Sequence, residues 1–184
     1  MSITEAPAHL AVIDMQEVFA DPRSAWAAPR FGEILPRVRQ LVTALAPQVT
    51  FTRFVAPAEP AGAWVDYYAQ WPFALQPPDA PLYDVVDALP AGPTVSATTF
   101  SKWGPELAAA VGSGTLLLAG VSTDCCVLST AVAAADAGVR VRVVEDACAG
   151  ADDGSHAQAL AVLALYAPLI EVIDTESVLA AQRG

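Results

Sequence analysis

Apolar positions along this chain follow two rhythms. One is the short run: uncharged at 10–13 and 116–119, alternating at 49–54, and mixed with polar residues at 94–97, 140–144 and 169–173. Such runs suit strands, and an unbroken one suits a strand buried on both faces. The other rhythm recurs every three or four positions. Leu35, Val38, Leu41, Val42 and Leu45 line one face of a helix over 34–45, with Pro36 tolerated in its first turn. Further helices are read at 105–111, opening on Pro105, and at 152–165 and 174–182. Strands alternating with helices predict an α/β fold of three layers: a mostly parallel sheet of about six strands, flanked by helices on both faces.

The stretch 116–131 reads as strand, sharp turn and helix. Leu116, Leu117, Leu118 and Ala119 are apolar, Gly120 ends the run, and Ser122, Thr123 and Asp124 are residues that start helices. Val127, Leu128, Ala131, Val132 and Ala135 then recur at helical spacing. Cys125 and Cys126 thus fall in the first helical turn, beyond the carboxyl end of a central strand. Open α/β sheets place their chemistry at that edge. A helix start favours a thiolate, so a lowered thiol pKa is expected there. Two other polar groups follow other strands. Asp14 comes directly after 10–13, and Lys102 lies five residues beyond 94–97. A carboxylate, an ammonium and a thiol could together serve as base, cation and nucleophile.

Residues 55–92 fit no long periodic element and are rich in proline. So long a segment in a compact domain is usually a functional loop or lid. Within it Trp64, Tyr67, Tyr68 and Trp71 share a helical face, open to reading as a pocket wall or lid, or as core or subunit interface.

Composition narrows the setting. A chain of 184 residues, 54% hydrophobic, suits one domain over 1–184, with 55–92 as an insertion. Twenty acidic against nine basic residues give a net charge of −11, which disfavours nucleic acid and anionic membranes as partners. No apolar run reaches the ~18 residues of a membrane span. The opening residues lack the basic and apolar regions of a leader peptide. Three cysteines make no disulfide framework, so a reducing cytoplasm is the simplest location.

Three motifs carry a resemblance. LAVIDMQ at 10–16, TFSKW at 99–103 and GVSTDCCVLSTAVAAADAGVRVRVVEDACAG at 120–150 resemble, in that order, the motifs of the isochorismatase-like cysteine hydrolases. The resemblance covers most of the chain outside 55–92. It implies a Rossmann-like sheet and an Asp–Lys–Cys triad of Asp14 as general base, Lys102 as cation and Cys126 as nucleophile. It implies an oxyanion hole from backbone N–H groups at Ser122 and Cys126, and a cis peptide between Val121 and Ser122. It separates Cys126 from Cys125, which periodicity does not. It also implies a small-molecule amide or ureide substrate, hydrolysed at a C–N bond, and a homodimer or higher homo-oligomer.

Rival readings stay beside these. Asp14 could cap a turn, Lys102 could be a solvated lysine, and Cys125 and Cys148 read as packing. Asp124 reads as a helix-start residue. Phe19 and Trp103, near Asp14 and Lys102 in sequence, are the expected pocket walls. The family's nicotinamidases bind a metal through an aspartate and histidines in the region after the second strand. Here that region has no histidine, so no metal and no cofactor are expected. Vinyl ether hydrolysis of the isochorismatase type, or a silent binding protein on the same fold, are the alternatives.

Overall fold

The computed structural model describes residues 7–183. The first six residues, within the stretch read as lacking a leader, lie outside them. Six strands form one parallel sheet in the order β3-β2-β1-β4-β5-β6. They are β1 (Ala8–Ile13), β2 (Val49–Phe54), β3 (Thr94–Ala97), β4 (Thr115–Val121), β5 (Val141–Ala149) and β6 (Ile170–Ile173). The helices are α1 (Glu17–Ala20), α2 (Phe31–Leu45), α3 (Ala63–Gln70), α4 (Pro105–Val111), α5 (Leu128–Asp136), α6 (Asp153–Ala164) and α7 (Thr175–Ala181).

The α/β arrangement of three layers follows from strands that are apolar on both sides. Successive side chains of a strand point to opposite faces. Leu10 and Val12 of β1 join one core with Val38, Leu41 and Leu45 of α2 and Val178 of α7. Ala11 and Ile13 join the other with Leu107 of α4, Ala131 and Ala134 of α5 and Leu163 of α6. The order of strands reverses between β1 and β4, the kind of crevice where open sheets bind ligands.

Three expectations need correction. The strand read as 140–144 continues to Ala149. Glu145 and Asp146 had suggested its end, but Asp146 is compensated where it stands. Its Oδ1 accepts from the backbone N–H and hydroxyl of Thr175, and Arg37 pairs with its Oδ2 at 3.0 Å. The first long helix begins at Phe31, three residues early, so Pro36 lies in its second turn. Gly32 and Pro36 are both exposed, so the carbonyl that Pro36 leaves unpaired can face water. The short α1 was not anticipated, since four residues show no period.

The segment 55–92 folds over the carboxyl edge. Tyr68 of α3, Tyr83, Ala74, Val55 and Ala56 make a small core of their own. Gln16 pins it to the sheet, donating to the carbonyls of Phe54 and Tyr83 while its Oε1 accepts from Phe54 N. Among the described residues no helix is long and apolar enough to cross a membrane.

Candidate active site

Asp14 is the first polar residue after the buried run of β1, and it is wholly buried itself. Its backbone takes a φ of 48°, the one positive value at a non-glycine among the described residues. Aspartate tolerates that left-handed region better than most residues, and strain of this kind gathers at functional sites. Thr52 of β2 holds the side chain, its hydroxyl donating to Oδ1 at 2.6 Å. The same hydroxyl accepts from the Asp14 N–H at 3.1 Å. Gly120 lets β4 close in from the other side. With φ of +120°, any Cβ there would lie 2.1 Å from the Ile13 carbonyl oxygen.

Lys102 reaches inward from the loop after β3. Its ammonium contacts Asp14 Oδ2 at 2.9 Å and donates to the carbonyls of Thr99 at 3.0 Å and Phe100 at 2.8 Å. The two carbonyls take hydrogen bonds from the ammonium, while Asp14 Oδ2 meets it as an ion pair outside hydrogen-bond geometry. Neither side chain of the ion pair is exposed at all. Burial alone pulls the lysine pKa down, but the charge of Asp14 beside it outweighs that, and the net direction is up. Lys102 therefore stays a cation in the interior.

The thiols follow β4 through a peptide that is cis between Val121 and Ser122. The chain then makes one wide π turn over Thr123–Val127 before α5 begins. Cys126 is buried and Cys125 is half-buried. A lowered pKa was expected for a thiol at this place, and for Cys126 the structure reverses it. The hydrogen bond with Cys125, then burial, then the Asp14 carboxylate push the Cys126 thiol well up, against the pull of Lys102. The same hydrogen bond lowers Cys125. Helix-start donors are outweighed by a dry setting with a carboxylate in it.

Thr130, one turn into α5, ties the thiol to the lysine. Its hydroxyl donates to the Cys126 carbonyl at 2.7 Å and accepts from the Lys102 N–H at 2.9 Å. The structure thus gathers Asp14, Lys102 and Cys126 from three strand ends into one electrostatic group.

Above them lies a chamber of about 340 Å³, lined by Ser122, Asp124, Cys125, Cys126 and six aromatic rings. Phe19 is among the rings, as expected. Trp103 is not. It packs beside the core under α4 and α5, because consecutive residues of this loop point to different sides. Val121, expected with Ser122 at the oxyanion hole and substrate site, is buried and does not line the chamber. Tyr67 and Trp71 line the chamber, while Tyr68 sits in the insertion's own core, so the aromatic face divides between the two readings. Sequence reasoning missed Trp26, Phe54 and Phe100. Phe54 ends β2 and Phe100 follows β3, so their place on the carboxyl edge was a usable signal. Trp26 lies in a loop with no period to flag it. Asp124 serves its turn, Oδ1 accepting from Ala151 N at 2.9 Å.

Comparison with known proteins places the chain. A family model described as an isochorismatase domain matches residues 8–177. No curated protein matches the chain. Among solved structures it is similar to a cysteine hydrolase from Pseudomonas syringae pv. phaseolicola 1448A, at 21% identity and TM-score 0.82, with 100% of this chain and 99% of that one covered. It is similar to N-carbamoylsarcosine amidase from Thermoplasma acidophilum, at 19% identity and TM-score 0.73, covering 92% and 96%. It is also similar to the pyrazinamidase of Pyrococcus horikoshii in complex with zinc, at 22% identity and TM-score 0.72, covering 91% and 99%.

The residues here do not fit a zinc of that kind. Among the described residues no three His, Cys, Asp or Glu side chains converge as a ligand set. His9 lies toward the opposite end of β1, hydrogen-bonded to Thr50, and His156 is bonded to Thr123.

Proposed function

This chain belongs to the isochorismatase family, and on that premise we propose that it is a cysteine hydrolase of a small amide, carbamoyl or ureido C–N bond. The observation that carries the reading is the buried Lys102–Asp14 ion pair set against the buried Cys126 thiol. A charged pair without solvent is costly to keep. Here it lies beside a chamber large enough for a small molecule, which gives the pair a use. Two of the similar structures are named as amidases, which favours C–N bonds over vinyl ethers.

The steps follow from the charges. Cys126 rests as a thiol, because its surroundings disfavour the thiolate. As its sulfur attacks the carbonyl carbon, the proton passes to Asp14. Lys102 holds its charge through the transfer and keeps the site near neutrality. The oxyanion is met by the backbone N–H groups of Ser122 and Cys126, each donor contributing roughly 3 kcal/mol. The C–N bond breaks, the departing nitrogen takes the proton from Asp14, and a thioester on Cys126 remains. Water then gives a proton to Asp14 and attacks the thioester, the C–S bond breaks, Asp14 returns its proton to the departing sulfur, and the acid leaves.

The test is ammonia release from a panel of small amides and ureides, with intact-mass analysis under rapid quench. A substrate-derived acyl adduct on Cys126 is the expected result. Turnover with the adduct on Cys125 and none on Cys126 would overturn the assignment.

A further inference from the structure

We infer that the chamber selects a positively charged substrate: an amide or ureide whose far end is an alkylated ammonium group. This deepens the hydrolase reading and rests on it for the reaction, but not for the charge of the ligand.

The walls argue for a cation. Trp26 is their hub, with its ring 6.1 Å from Phe19, 5.7 Å from Phe54, 6.0 Å from Tyr67 and 6.3 Å from Trp71. Rings packed by stacked, tilted and edge contacts around one chamber offer faces at several angles. Ring faces carry negative potential, and desolvated cages of this kind hold alkylammonium groups. Phe54 already lies beneath one cation, with Lys102 Nζ 5.1 Å from its centroid.

The charges point the same way. Asp124 is the one charged side chain among the residues lining the chamber, and no Lys, Arg or His is among them. Asp124 forms no ion pair among the described residues. One of its oxygens serves Ala151. Its charge is felt at Cys125, so its field reaches the chamber. The floor supplies no compensating charge, because Lys102 is cancelled by Asp14. A substrate carboxylate would enter a dry site with a like charge and no basic partner. An alkylammonium would meet an unpaired carboxylate and aromatic faces. The net charge of −11 adds attraction at long range.

Three amides of nearly one size test this: trimethylammonioacetamide, its neutral isostere tert-butylacetamide, and the anion malonamate. The expected kcat/KM for the cation exceeds that for the neutral isostere by about tenfold, with the anion lowest. Trp26→Leu and Asp124→Asn should each shrink the cation-to-neutral ratio. The asparagine keeps an oxygen for Ala151 N, so the turn stays in place. Calorimetry on Cys126→Ala protein reads the same preference as Kd, without turnover. Equal kcat/KM or equal Kd for the two isosteres, or binding of none of the three, overturns the inference. Ammonia from none of them and from none of the wider amide and ureide panel, with the cation still preferred in calorimetry, sinks the hydrolase reading and leaves the charge preference standing.

Discussion

The chamber has a floor and a wall, and the two are built on different physics. The floor is polar and fully buried. Asp14, Lys102 and Cys126 are joined through Thr52, Thr130 and two backbone carbonyls by contacts of 2.6–3.1 Å. The wall is six rings in stacked, tilted and edge contacts, with centroids 5.7 Å or more apart. Directional bonds in a low dielectric fix one geometry and penalise every loss. Ring contacts tolerate repacking at small cost. The floor is thus suited to fixed chemistry, and the wall to choosing what enters. Different variants should therefore break them in different ways.

The largest effect is expected at the attacking atom. Cys126→Ala should lower turnover by about a thousandfold or more, as removal of a nucleophile does. Cys125→Ala, one residue away and open to the wall, should keep most of it. Ammonia release checks both, with circular dichroism to show that each variant is folded. Equal losses would mean that the two thiols act as a unit and that the boundary between floor and wall is misplaced.

The ion pair comes next. Lys102→Met leaves the Asp14 carboxylate buried without a partner, a change that costs about 3–5 kcal/mol. Urea unfolding should show that loss, together with loss of turnover. The pH dependence has a definite sign. The Lys102 pKa is raised above its ordinary 10.5, so the pair contributes in full below that value and is lost as pH rises through the folded one. The gap between wild type and variant should therefore narrow in strong alkali. A variant as stable as wild type at neutral pH would remove the floor's claim to be over-determined.

The same contrast explains what could be read from sequence. Floor residues follow strand ends, and a strand end is legible as a short apolar run that stops. Asp14 stands directly after one, and the two thiols follow another after a turn. Lys102 was less visible, since nothing in 98–104 is periodic, and its motif identified it. The wall draws on four separate segments, joined only after the sheet has formed. Trp26 has no local signal, and Trp103 carried a false one, because nearness in sequence to Lys102 is not nearness to the chamber. The pKa of Cys126 was misjudged for a related reason. Helix starts are local, whereas burial and the Asp14 charge are tertiary. Most elements were legible from periodicity. The extension of β5 was not, since Asp146 within the strand is compensated by Arg37 and Thr175 from elsewhere, and Glu145 is exposed.

A smaller effect should separate positioning from chemistry within the floor. Thr130 does not line the chamber, yet it bonds both the Lys102 N–H and the Cys126 carbonyl. Thr130→Val keeps the shape and leaves that buried N–H unpaired, at about 1–3 kcal/mol. Turnover should fall through kcat with KM little changed, and Thr130→Ser should restore most of it. A rise in KM with kcat intact would instead make Thr130 part of how the wall is shaped.

The smallest expected effect is none, and it tests the wall. A hydrolase that orients its substrate through a metal needs ligands converging at ~2.0–2.3 Å. The segment after β2 gives the wall Tyr67 and Trp71, and holds no histidine from 55 to 92. Asp124, Cys125 and Cys126 reach the chamber, but among the described residues no three His, Cys, Asp or Glu side chains converge as a ligand set. Cys148, the remaining thiol, is buried away from it, with burial pushing its pKa up to about 12. Substrate must then be oriented by ring faces, by the Asp124 carboxylate and by the backbone donors at the floor. Dialysis against a strong chelator should leave kcat and KM as they were. If activity is lost and zinc, iron or manganese restores it, donors outside the rings hold the substrate, and the division between an aromatic wall and a polar floor fails at its upper edge.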